Sequence, residues 1–158
     1  MINCAKNTEQ ESLIALGGLA GCRISESLAC TTDWIDLQDM TLTIRGKGDK
    51  TRTVPIGPYA WRYMQESYVM AFSKPDKRLI SYRDRFARQI VCNLGVRAGL
   101  SRRVASHDLR ATFATAVYDD TLNLRLVQEL LGHASSNTTE IYTGVSMTNM
   151  REAVSFNV

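Results

Sequence analysis

Six side chains in this sequence have the types and order for work on a phosphate. Arg23 lies in Gly21-Cys22-Arg23-Ile24-Ser25-Glu26, and Lys47 lies in the glycine-rich stretch Gly46-Lys47-Gly48-Asp49-Lys50. His107 and Arg110 stand three apart in Ser106-His107-Asp108-Leu109-Arg110, a spacing that shares one helical face. His133 ends Leu130-Leu131-Gly132-His133, and Tyr142 follows nine residues later. Metal-free transfer at a phosphodiester needs three things. Planar guanidiniums must match the charge developing on the non-bridging oxygens, a nucleophile must attack phosphorus, and an acid must protonate the departing alkoxide. Taken singly, each residue also has an ordinary reading. Arg23 pairs with Glu26 at a surface, and Lys47 is an exposed turn lysine. His107 caps a helix, His133 meets a helix dipole, and Tyr142 is a half-buried core aromatic.

The chain that must position them has 158 residues, 44% of them hydrophobic and 22% charged. That is the size of one domain with a real core. No apolar run approaches the roughly 20 residues of a membrane span, and the N-terminus does not read as a signal peptide. Cys4, Cys22, Cys30 and Cys92 form no CxxC pair, so free thiols in a reducing cytoplasm are expected, with no metal framework. The acids are scattered, which argues against a two-metal nuclease or transposase. Net charge is only +3, but residues 45–52 carry +3 and residues 74–110 carry +7, against −4 over residues 1–44 and −3 over residues 111–158. Two basic segments in a nearly neutral chain suggest either a one-sided polyanion surface or solvated helix faces.

The patterning predicts a mainly helical α+β domain with a small antiparallel sheet. Thr8 and Glu11 have capping-box spacing ahead of a helix near 8–19, which Gly17, Gly18 and Gly21 weaken and end. A short helix near 24–31 follows, opened by Ser25. Thr41–Arg45 and Thr51–Ile56 alternate like strands around the glycine-rich stretch, so a β-hairpin is expected. Pro55 confines the second strand to an edge or an early end. Helices are expected from Pro58 onward, near 83–98, near 107–119, over 124–131 with Gly132 as C-cap, over 138–142 and over 147–154.

Order and context together resemble the catalytic domain of the tyrosine recombinases, the lambda-integrase and Xer-like family, from about Glu11 to Ser146. Gly21-Cys22-Arg23-Ile24-Ser25-Glu26-Ser27-Leu28 is similar to the family's first arginine box. Trp34-Ile35-Asp36, Ile44-Arg45-Gly46-Lys47-Gly48-Asp49-Lys50-Thr51-Arg52 and Val54-Pro55 are similar to its lysine hairpin. Ser106–Thr115 resembles its His-x-x-Arg box, and Leu130–Ser135 and Thr138–Tyr142 resemble its last histidine and nucleophile boxes.

The resemblance implies the family fold and a site-specific recombinase or integrase acting through a 3′-phosphotyrosine, without metal, ATP or other cofactor. Tyr142 would be the nucleophile, Arg23 and Arg110 the phosphate clamp, and Lys47 the acid for the leaving 5′-oxygen. His107 would assist as acid/base and His133 would hydrogen-bond the phosphate. Glu26 would support the site through Arg23 or His107. Arg45, Lys50, Arg52, Arg83, Arg85, Arg88, Arg102 and Arg103 are expected on double-stranded DNA. The implied assembly is a homotetramer on synapsed DNA and a monomer without it, off any membrane, in the cytoplasm of a bacterium or of a mobile element's host. Residues 1–158 are expected to form a single catalytic domain. The family's N-terminal helical domain is expected to be absent, and the tail over 145–158 either passes to a neighbouring protomer or packs in cis. Two alternatives stand beside this reading: a type IB topoisomerase-like relaxing enzyme and a catalytically silent DNA-binding module.

Overall fold

Asn7 opens the first helix, because its side-chain oxygen accepts from the Gln10 N–H at 3.0 Å. The cap thus lies one residue before the expected Thr8 box. A computed structural model describes residues 1–46, 51–132 and 146–155. In it α1 spans Thr8–Gly18, with Glu9 and Glu11 in its first turn, where the helix dipole favours acids. The consecutive residues Leu13, Ile14, Ala15 and Leu16 are all buried. A helix apolar on every side belongs at the centre, and α1 packs against α2 (Ile24–Ala29), α3 (Pro58–Ala71), α4 (Asp84–Arg97) and α5 (Ser106–Thr121). Gly17 lets α5 approach closely, since a Cβ there would stand 3.0 Å from Leu109.

The hairpin strands form as the alternation predicts, as β2 (Thr41–Arg45) and β3 (Thr51–Pro55), with Leu42 opposite Val54 and Ile44 opposite Arg52. β1 (Ile35–Asp36) adds a third antiparallel strand on the far side of β2. Two residues are too few for periodicity to show. Pro55 ends β3, an edge strand, where a missing N–H costs no ladder bond.

α6 (Leu124–Leu131) buries Leu126, Val127, Leu130 and Leu131, and ends at Gly132 with a left-handed φ of 66°. α7 (Met147–Ala153) buries Met150 and Ala153 and packs on β3, α5 and α6. The helix expected over 138–142 lies outside the described residues.

Candidate active site

Glu26 is the centre on which four elements converge. It stands in the first turn of α2, where its Oε2 accepts from the Arg23 N–H at 2.7 Å and its Oε1 from Arg23 Nη1 at 2.8 Å. From β3, Arg52 sets its fork on the same carboxylate, Nη1 to Oε1 at 3.0 Å and Nη2 to Oε2 at 2.9 Å. From α5, Arg110 brings Nη1 to 3.8 Å from Oε2. Arg110 is held instead by two carbonyls, donating to Gly21 O and to Leu131 O, each at 2.7 Å. Arg52 Nε donates to Leu130 O at 3.2 Å. The last carbonyls of α6, which a helix leaves without partners, are thus taken by the two guanidiniums.

Local sequence explains each approach. Gly21 sits at a φ of 67°, and a Cβ on it would meet Phe113 Cδ1 at 2.6 Å, so only glycine brings its carbonyl to Arg110 on α5. Gly132 gives way to Arg52, whose Cδ would lie 2.6 Å from a Cβ at that position. Arg23, Arg52 and Arg110 are 49%, 13% and 12% exposed, and Glu26 is 5% exposed.

One carboxylate among three guanidiniums leaves a surplus of two positive charges, a partly open seat for an anion with several oxygens. Burial alone would raise the Glu26 carboxyl, but hydrogen bonds from Arg52 and the Arg23 N–H overturn this and hold it at about 2. Burial, then repulsion from Arg23 and Arg52, brings Arg110 down to about 10, so it stays charged at neutral pH. Burial pushes the neighbouring Cys22 thiol up to about 12, which keeps it neutral. Among the described residues, no three His, Cys, Asp or Glu side chains are grouped to hold a metal ion.

The structure therefore brings Arg23, Glu26 and Arg110 together. It places His107 one turn before Arg110 but 82% exposed, its Nε2 3.5 Å from Asp108 Oδ1. Glu26 contacts Arg23, while His107 lies beside Asp108. Lys47, Lys50, His133 and Tyr142 lie outside the described residues. Of the arginines expected on DNA, Arg45, Arg83, Arg85, Arg88, Arg102 and Arg103 are exposed. Arg88 is engaged with Asp84 and Ser106, and Arg102 with Asp108.

Arg52 differs from those arginines, since the structure turns it inward onto Glu26. Sequence reasoning missed this placement, though the signal was there. Strand side chains alternate between faces, so Arg52 shares the face of Val54, which is buried.

Comparison with known proteins follows the same outline. A pattern described as "Phage integrase family" matches residues 1–149. Tyrosine recombinase XerD of Bifidobacterium longum is 38% identical over 143 residues, covering 80% of this chain and 46% of its own length. Among solved structures, XerA recombinase superposes with a TM-score of 0.77 at 28% identity, over 96% of this chain and 59% of that one. XerH site-specific recombinase, bound to its difH substrate in a pre-cleavage complex, gives 0.72 at 26% identity, over 98% and 46%. The chain spans about half the length of the curated relatives it matches.

Proposed function

The chain belongs to the phage integrase family, and from that premise we propose that it is the catalytic part of a site-specific DNA recombinase. Tyr142 attacks the scissile phosphorus. Its oxygen–phosphorus bond forms as the phosphorus–5′-oxygen bond breaks, leaving a 3′-phosphotyrosine and a 5′-hydroxyl. A phenol with a pKa of about 10 must lose its proton in this step, and the proton passes to His107 while Lys47 protonates the leaving oxygen. Arg23 and Arg110 hold the non-bridging oxygens, His133 adds a hydrogen bond, and Glu26 holds Arg23. A partner strand's 5′-hydroxyl then reverses the chemistry at a new junction, with four protomers on synapsed duplexes. The covalent link conserves the phosphodiester, so the scheme calls on neither ATP nor a metal.

The observation that carries this reading is the gathering of Arg23 and Arg110 around one buried carboxylate, Arg23 bonded to it at 2.8 Å and Arg110 standing 3.8 Å away, with two positive charges left over. XerH, a structural relative, is seen on its own DNA substrate before cleavage.

The test is covalent capture. The chain is incubated in EDTA with a pool of nicked duplexes of random sequence, and DNA that survives denaturing washes is sequenced. A 3′-linked adduct that maps to Tyr142 and vanishes in Tyr142→Phe is expected. An adduct retained in that variant, or none at any protein concentration, overturns the proposal. Relaxation of supercoils with no exchange between two captured sites points instead to a topoisomerase.

A further inference from the structure

Glu26 has two carboxylate oxygens and three guanidiniums around it, and they are not shared equally. Arg52 engages both oxygens, at 3.0 and 2.9 Å. Arg23 takes one with its side chain at 2.8 Å. Arg110 stands off at 3.8 Å, its two terminal nitrogens committed to the Gly21 and Leu131 carbonyls. A planar fork on a carboxylate is the strongest pairing available to these groups. Arg52 is therefore the cation that neutralises Glu26, and Arg23 and Arg110 carry the surplus charge. Arg52 is also fixed from behind, by Leu130 O at 3.2 Å and by the bare Cα of Gly132.

We infer that Arg52 is a positioning residue: by saturating Glu26 it keeps Arg110 off that carboxylate and available to a phosphate. This rests on the function proposed above. Without Arg52, Glu26 is a buried carboxylate missing its main partner, a costly state. The nearest donor not yet bonded to it is the second N–H of Arg110 Nη1, beside the one given to Gly21 O, which needs to move only about 1 Å to close a charge-assisted hydrogen bond. Once closed, that bond cancels the charge the phosphate would have met. Arg52 thus acts through Arg110 without touching the substrate.

The experiment compares wild type, Arg52→Gln, Glu26→Gln and the double variant on the nicked pool, with noncovalent affinity and covalent capture rate measured separately. Arg52→Gln is expected to slow capture ~100-fold while affinity changes by less than about threefold, because most affinity comes from phosphates elsewhere. Adding Glu26→Gln removes the carboxylate that captures Arg110, and should restore at least about tenfold of the rate. An arginine that merely ties β3 to α6 predicts the opposite, a double variant slower than the single. Arg52→Lys, which keeps the charge but lacks the fork, should fall between wild type and Arg52→Gln, and serves where the glutamine variant does not fold. A crystal structure of Arg52→Gln or Arg52→Lys supplies a readout independent of activity. Arg110 Nη1 should move to about 3 Å from Glu26. Arg110 remaining at 3.8 Å, or no gain in the double variant, overturns the inference. Absence of any wild-type adduct overturns the proposed function instead, and the crystallographic comparison then decides this one.

Discussion

Glu26 links the site to the stability of the fold. Its carboxyl is held at about 2 against an ordinary 4.5. A depressed carboxyl stabilises the folded state above the unfolded pKa, and that stabilisation is lost as pH falls through the folded value. The window is therefore pH 4.5 down to about 2, and the amount at neutral pH is on the order of 3 kcal/mol. Urea unfolding across that window should show wild type losing stability more steeply than Glu26→Gln, whose slope lacks this group; equal slopes would contradict the pairing. Arg110 has the reverse sign. A cation depressed to about 10 by burial and by Arg23 and Arg52 is a strained charge at pH 7, and an added anion relieves it. Sulfate should raise the melting temperature above that in chloride of equal ionic strength by several degrees, roughly 1 kcal/mol of linkage. Arg110→Ala should erase the difference.

Between elements, glycines decide how near two backbones can come. Gly57 precedes α3, and a Cβ there would lie 2.1 Å from the Val154 carbonyl oxygen at the end of α7. Backbone cannot yield as a side-chain tip does, so Gly57→Ala must push α7 from its seat on β3, α5 and α6. A loss of roughly 2–4 kcal/mol is expected, together with earlier protease cleavage over residues 146–155. Gly18, the last residue of α1, has nothing within 4 Å of a built Cβ. Gly18→Ala should gain about 0.5 kcal/mol through helix propensity and a less flexible unfolded chain. Thermal unfolding of the pair distinguishes close approach from mere flexibility; equal effects would show that Gly57 has no contact role.

For the molecule as a whole, charge is arranged more tellingly than its sum of +3 suggests. Arg83, Arg85 and Arg103 are exposed, and no carboxylate among the described residues forms an ion pair with them. If they meet DNA phosphates, each removes about 0.9 from the slope of log affinity against log salt when replaced by alanine. Fluorescence anisotropy over a potassium chloride series should show the triple variant flatter by nearly three, with stability within about 0.5 kcal/mol of wild type. An unchanged slope would assign these arginines to solvated helix faces.

The linear order of residues was enough to read the described helices, the hairpin strands, and the Arg23, Glu26 and Arg110 that the fold brings together. Helical periodicity, strand alternation and turn glycines act over a few neighbours, so they are written in the chain itself. Pro58 at the head of α3 and Gly132 at the end of α6 are such local signals. The two-residue β1 was not legible, because pairing with β2 rather than any pattern of its own makes it a strand. The Asn7 cap was missed because Thr8 offered an equally plausible oxygen. Of the groups around Glu26, Arg23 was within local reading, three residues away, but Arg52 and Arg110 were not. Arg52 looked like one more surface cation in a basic segment, and its neighbours in sequence say nothing of Leu130 or Gly132, 78 and 80 positions away. Which of three guanidiniums neutralises a carboxylate depends on distances set by the packing of α2, β3, α5 and α6. Electrostatic pairing is decided at 3 to 4 Å between atoms far apart in the chain, and only the folded structure specifies those distances.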